Sequence, residues 1–327
     1  MKALQVVLAF GLALAAASGR AGAMQSPADG LWDTGSDDCG HHAHSPLEVH
    51  PYDNATFILR ESLCDTWEAP FMYLLVGGER ALLIDTGDVA DPEAMPLAKT
   101  ILKMLPGDGQ SKQPLLVVHS HGHLDHRQGD GQFTHLPNVQ VAPSDLEGVR
   151  KFFGLANWPN GVAEVDLGGR IVEVLPAPGH HPAEVVFSDG NTSLLFTGDF
   201  LLPGRILVDD HAAFEASARR VADFLKDKPV RHVLGGHVEK NRAGELLGWQ
   251  STYHPDEHSL ALTKASAMAL PAALHLFNGF YTATGDFVIE NPIRNLIVTG
   301  LAALLILAGL TYLLVRFVRR RRARAAI

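Results

Sequence analysis

The segment His121-Gly122-His123-Leu124-Asp125-His126 puts four imidazole or carboxylate groups within six residues, shortly after the aliphatic run 115–118. A short apolar run bounded by polar residues reads as a buried strand, so the cluster occupies the loop at that strand's carboxyl end. In extended backbone, alternate side chains point the same way. His121 and His123 therefore converge, while Asp125 and His126, where the chain turns, can face a second point. A single ion rarely uses all four, so the spacing predicts two neighbouring metal ions. Catalytic zinc takes nitrogen and oxygen donors and keeps a position open, with about three protein ligands per ion. The fold must then deliver more ligands from distant parts of the chain.

Three later segments offer them. Pro178-Gly179-His180, Thr197-Gly198-Asp199 and Gly235-Gly236-His237 each follow or end an apolar run, and each has glycine where a crowded site needs a tight turn. His181 could replace its neighbour as ligand, but His180 directly follows Pro178-Gly179 and is preferred. His119 reads as a packed or supporting residue. His135, His211, His232, His254, His258 and His275 have no ligand-like context, and His41, His42 and His44 read as part of a solvated stretch near Asp37 and Asp38.

Strands are expected at 56–59, 71–76, 81–84, 115–118 and 139–142, with helices at 92–105 and from Ser144 as N-cap to about 153. The alternation repeats with strands at 170–175, 184–187, 193–197 and 231–234 and helices at 214–226 and 256–269. Two such runs predict an α/β architecture, two sheets face to face with helices outside.

These residues resemble the metallo-β-lactamase superfamily. The His-x-His-x-Asp-His signature is met in full, and Leu83-Ile84-Asp85-Thr86-Gly87 is the strand end typical of that fold. The resemblance covers about residues 56–240, and its ligand order is similar to glyoxalase II and the lactonases. It implies a four-layer αββα sandwich. It also implies that His121, His123 and His180 hold one ion, that Asp125, His126 and His237 hold the other, and that Asp199 bridges them. Asp85 would orient the histidine loop.

The ends of the chain suggest where it works. Residues 1–23 read as a secretory signal: Lys2, an apolar run and a small-x-small site at Ala21-Gly22-Ala23. Residues 24–55 read as a polar leader and 56–290 as the catalytic domain. Residues 296–315 carry no charge and, at about 1.5 Å per residue, would span about 30 Å of hydrocarbon. They form the centre of an expected transmembrane helix, 293–318. The arginine-rich tail, 319–327, would stay cytoplasmic by the positive-inside rule, placing the catalytic domain on the exported side; a processed sorting tail would look similar. All 36 acidic residues lie between the two apolar ends, with only 18 of the 27 basic ones, so this region carries −18. That charge opposes nucleic-acid binding, which needs clustered Lys and Arg. Cys39 and Cys64 could pair in an oxidising compartment or remain thiols.

The expected function is hydrolysis of an ester, lactone, thioester or amide in a small-molecule substrate. Two divalent cations, zinc first with iron or manganese as alternatives, would bring the pKa of a shared water toward about 7. Asp125 or Asp199 would orient that water. Segment 238–290 should wall the pocket, with Tyr253, His254, His258, Phe277, Phe280 and Tyr281 as candidates. Two other readings stand beside this one: a di-iron oxidoreductase or dioxygenase on the same scaffold, and a non-catalytic, membrane-anchored metal-binding protein. The metal identity separates the first, and hydrolysis separates the second.

Overall fold

A computed structural model describes residues 32–108 and 112–325; the segment read as a secretory signal lies outside them. The first half of the chain builds one sheet from β1 (Leu47–Pro51), β2 (Thr56–Glu61), β3 (Phe71–Val76), β4 (Ala81–Ile84), β5 (Leu115–Val118) and β6 (Val139–Val141), in that order. β1 to β4 form an antiparallel meander; β4, β5 and β6 run parallel. The crossovers carry α1 (Leu97–Met104) and short 3-10 turns, and α2 (Leu146–Phe152) follows β6.

The second half repeats the plan. In chain order it contains β7 (Ala163–Asp166), β8 (Ile171–Pro176), β9 (Val185–Asp189), β10 (Leu194–Gly198), β11 (Arg205–Leu207), α3 (His211–Leu225), β12 (His232–Gly235), β13 (Ala261–Leu262), α4 (Lys264–His275), β14 (Tyr281–Ala283), β15 (Val288–Glu290) and α5 (Pro292–Ala325). The second sheet has the order β13-β12-β10-β9-β8-β7, and a three-stranded sheet has the order β11-β15-β14.

The layers follow from side-chain alternation. In β3, Phe71, Tyr73 and Leu75 enter a core shared by both large sheets, while Met72 and Leu74 pack toward α1. In β10, Leu194 and Phe196 face that shared core and Leu195 faces α3 and α4. Strands covered on both faces read as continuous apolar runs rather than alternating ones, as in β3, β4 and β5. Three stacked cores make four layers, helix, sheet, sheet, helix, and each fully buried large apolar side chain contributes about 1.5–3 kcal/mol.

A buried ion pair joins the sheets. Arg170, 4% exposed, donates to Asp189 Oδ2 at 2.6 Å and Oδ1 at 3.2 Å. It also donates to the carbonyls of Ala55 and Val76 and to Thr56 Oγ1. A second buried pair, Arg60 with Glu257 at 2.7 and 2.6 Å, ties β2 to the segment before β13, and His254 joins it at 2.9 Å.

Several elements differ from the sequence reading. The stretch read as polar leader contributes β1, an edge strand whose side chains are mostly half-buried. Its cysteines are joined: Cys39 and Cys64 form a disulfide. The helix expected over 92–105 starts only at Leu97, because a residue preceding proline, here Met95 before Pro96, avoids helical backbone. Asp145, not Ser144, caps α2 by accepting from Gly148 N–H at 3.0 Å. The final helix of the domain is not at 256–269. Residues 261–262 pair with β12 instead, and α4 starts after Thr263, whose side chain forms a capping box with Ser266.

Candidate metal centre

Every sequence-predicted ligand lies where a strand of the two large sheets ends. β5 delivers His121 and His123, and a 3-10 turn, Leu124–His126, delivers Asp125 and His126. His180 follows β8, Asp199 follows β10 and His237 follows β12. The side chains gather in two groups: His121 with His123 and His180, and Asp125 with His126, Asp199 and His237, each group's donor atoms lying within 4.8 Å of one another.

Donor spacing is informative. In the first group, His123 Nδ1 is 3.0 Å from both His121 Nε2 and His180 Nε2. In the second, His126 Nε2 and His237 Nε2 are 3.2 Å apart and lie 3.3 and 3.2 Å from Asp125 Oδ2. Tetrahedral bonds of about 2.0–2.1 Å set ligand atoms about 3.3–3.4 Å apart. Asp199 lies between the groups. Its Oδ2 is 3.5 Å from His180 Nε2 and 4.0 Å from His121 Nε2, whereas Oδ1 is 3.4 and 3.5 Å from His126 and His237. Oδ1 is buried and has no hydrogen-bond partner among the described residues.

In three of the five rings an acceptor holds the nitrogen that faces away from the site. His180 Nδ1–H donates to the Leu207 carbonyl at 3.0 Å and His237 Nδ1–H to the Glu68 carbonyl at 2.8 Å. A carbonyl only accepts, so Nδ1 carries a proton and Nε2 is the nitrogen turned into the site, free to ligate when the ring is neutral. His126 Nδ1 is held likewise by Asp85 Oδ2 at 2.9 Å. The donor set and its spacing therefore fit a pair of cations.

Asp85 organises the histidine loop, the role implied by the resemblance. It follows β4 in left-handed backbone, φ 65°, and accepts from Ser120 N–H at 2.7 Å and Ser120 Oγ–H at 2.8 Å as well as from His126. Two glycines are required by close approach. A Cβ on Gly236 would meet Asp199 Oδ1 and His126 Cε1, both at 2.7 Å, and one on Gly198 would meet the Ser120 side chain at 2.5 Å. The loop carrying His237 is pinned by the first sheet: Tyr73 OH donates to the Gly235 carbonyl and Phe71 N–H to the Gly236 carbonyl. His119 stays out of the ligand set, buried against Asp130 Oδ1 at 2.8 Å. His181 also stays outside it, its ring centroid 5.0 Å from that of His123. His41, His42 and His44 pair with Asp38, Asp33 and Asp65.

Burial and charge oppose each other in the second group. Burial disfavours the ionised carboxylates, yet His126 and His237 hold both Asp125 and Asp199 well below the usual carboxylate range. Conversely, burial works against a charged His237, but Asp199 and Asp125 raise it to about 10. The aspartates thus supply negative charge that, in the metal-free chain, is balanced by imidazolium protons. A bound cation would take over that role.

A cavity of about 140 Å³ opens beside the ligands, walled by Glu68, Leu202, Arg205, Leu207, Glu239 and Trp249. The Arg205 guanidinium lies 5.4 Å from the Trp249 ring and pairs with Glu239 at 3.2 Å, and Trp67 approaches Trp249 at 5.7 Å. Burial pushes the Glu68 carboxyl up to about 7, with Asp125 and Asp199 adding to the shift against the opposing charge of His237. Segment 238–290 supplies part of this wall through Glu239 and Trp249, but not through the residues picked out in it from the sequence. Of the six candidates from 238–290, only His254 borders a recess next to the ligands. Phe277 is buried in the core under α3 and α4, and Phe280 packs on Arg294. Trp249 and Arg205 went unseen because no local pattern marks a residue brought in by a loop or a three-residue strand.

The sequence profile described as the metallo-beta-lactamase superfamily matches residues 65–279. The chain belongs to that superfamily. Its curated relatives include the hydroxyacylglutathione hydrolase of Anaeromyxobacter dehalogenans, 29% identical over 239 residues, 71% of this chain and 84% of that protein. They also include the acyl-coenzyme A thioesterase MBLAC2 of Gallus gallus, 23% identical over 280 residues, 74% of this chain and 98% of that protein. Among solved structures, a metallo-beta-lactamase from Pontibacter korlensis is 18% identical with a TM-score of 0.46, covering 71% of this chain and 100% of that one. The superfamily membership and these hydrolase relatives are consistent with a metallohydrolase site.

Proposed function

We propose that the chain is a two-metal hydrolase of acyl esters or thioesters, in which His121, His123 and His180 hold one divalent cation, Asp125, His126 and His237 hold the other, and Asp199 bridges them. The observation that carries this reading is the division of Asp199, one oxygen toward each histidine group. Zinc is the first candidate from the nitrogen-rich donor set. Bound there, the cations would supply a water ionisable near neutral pH and a Lewis acid for the scissile carbonyl. Asp125 and Asp199, which the neighbouring imidazoles keep ionised, would orient that water. Glu68, held near 7 in the same wall, can donate a proton to the leaving group. The relatives' names, a thioesterase and a hydroxyacylglutathione hydrolase, support a thioester or ester carbonyl over a phosphoryl centre.

The same reading puts the domain on a tether. α5 is long and apolar enough to cross a membrane and is 0% buried across its apolar window. Its arginine-rich end would lie in the cytoplasm and the catalytic domain on the exported side, where an oxidising environment suits the disulfide.

Purified full-length protein should hydrolyse members of an ester and thioester panel, lose that activity to a strong chelator and regain it with zinc. Full activity in metal-free protein, or none in the loaded protein, would refute the proposal. Asp85→Asn should leave the fold intact but weaken metal affinity about 10–100-fold, the usual cost of losing a ligand's orienting partner. Competition with a chromophoric chelator measures it, and an unchanged affinity would remove Asp85 from this role.

A further inference from the structure

α5 is not joined to the domain by a loose linker. Pro292, its first residue, is separated from β15 by Asn291 alone. β15 is the central strand of the small sheet and runs parallel to β11, with Glu290 paired to Leu207. Val208 N–H donates to the Glu290 carbonyl at 2.9 Å. β11 is also part of the site: Leu207 accepts the His180 Nδ1–H, and Arg205 and Leu207 wall the cavity. The path from metal ligand to tether is therefore His180, Leu207, Glu290, Asn291, Pro292. Adjacent strands lie about 4.8 Å apart and a strand advances about 3.3 Å per residue, so the root of α5 is roughly 8 Å from Leu207. The uncharged run starts at Leu296, about 6 Å further along the helix.

The surface around that root suits a bilayer. Phe280 and Tyr281 are 36% and 49% exposed, and Ile293 is 64% exposed. The Arg294 guanidinium lies 4.7 Å from the Phe280 ring, and Asn295 donates to the Phe280 carbonyl at 3.0 Å. Aromatic rings and a cation at the root of a span are what the headgroup layer accommodates. Beside the ligands, Leu124 and Trp249 leave large apolar surfaces in water, each 55% exposed. The charge of −18 on the region between the apolar ends, with Glu68 and Glu239 in the cavity wall, repels polyanionic carriers.

We propose that the substrates are long-chain acyl esters or thioesters residing in the bilayer, carried on neutral or zwitterionic amphiphiles, and that the small sheet fixes the site at the membrane surface to meet them. In the reaction, water oxygen bonds to the acyl carbon, the carbon–oxygen or carbon–sulfur bond breaks, and the proton goes to the departing alcohol or thiol. This inference rests on the hydrolase and membrane-span readings above.

The test uses the full chain in phosphatidylcholine vesicles with two probes sharing a leaving group, water-soluble p-nitrophenyl acetate and bilayer-dissolved p-nitrophenyl palmitate. A 20-residue Gly/Ser insert between Asn291 and Pro292 adds about 22–27 Å of average reach. It should cut the palmitate rate at least about tenfold and leave the acetate rate within about twofold, because contact with the bilayer is lost while the site is kept. Phe280→Ala with Tyr281→Ala, which spares β15, should shift the same ratio several-fold and decides the matter if the insert abolishes both rates. A palmitate rate unmoved by either change, with acetate hydrolysis and vesicle retention intact, would overturn this inference alone. Cleavage of neither probe by the unaltered chain would overturn the hydrolase reading beneath it. Extraction of the chain from vesicles by alkaline carbonate would overturn the span.

Discussion

Asp199→Ala is expected to lose activity and one metal ion together. In the proposed site both carboxylate oxygens are engaged, one toward His121 and His180 and one toward His126 and His237. Alanine leaves the first group with three nitrogens and the second with Asp125 and two histidines, and nothing to hold the ions at a fixed separation. A transition-state loss of about 4 kcal/mol, within the several a metal's Lewis acidity supplies, is about a thousandfold in rate. The expected result is a kcat/KM lower by on the order of a thousandfold or more, with metal content near one ion per chain or below. Two retained ions would remove Asp199 as the bridge, and wild-type activity would remove it from the mechanism.

The largest effect on stability is expected at Arg170. Its guanidinium has five recorded hydrogen bonds, two to Asp189 and three to the ends of β2 and β3 or the residue before them. Arg170→Met keeps the stem but strands the Asp189 carboxylate, 1% exposed, with Thr192 as its remaining side-chain partner. Leaving one member of a buried pair unmatched costs about 3–5 kcal/mol, and for a domain of this size that is a fall in Tm of roughly 6–20 °C. Arg170→Lys should be intermediate, since a point charge cannot reproduce the planar fork. Calorimetry decides: a Tm within about 2 °C of wild type for Arg170→Met would mean that this ion pair adds nothing to what the shared apolar core and the other contacts between the sheets supply.

The parts legible in the sequence share a physical cause. β3, β4 and β5 carry an unbroken apolar run because both faces are covered, and a run such as Leu115–Val118 ends abruptly where the chain must reach the site. The ligands were legible because each segment that carries them follows such an ending and contains a glycine, and at Gly198 and Gly236 the reason for glycine is the packing of the site itself. Edge elements were not legible. β1, β7 and β11 are short and only part-buried, and they are strands because a neighbour offers hydrogen bonds rather than by their own pattern. The helix misplaced over 256–269 has the same origin. Residues 261–262 are drawn into the second sheet, and only Thr263 with Ser266 can start α4. The cavity wall was the least legible part. Glu68, Arg205 and Trp249 come from three distant segments, and what they share is a place in the folded chain.

The central claim is two cations gripped by seven side chains, and anomalous diffraction from crystals of metal-loaded protein tests it most directly. Two peaks are expected, one among His121, His123 and His180 and one among Asp125, His126 and His237, with Asp199 between them. A single peak, or none under saturating metal, would contradict it.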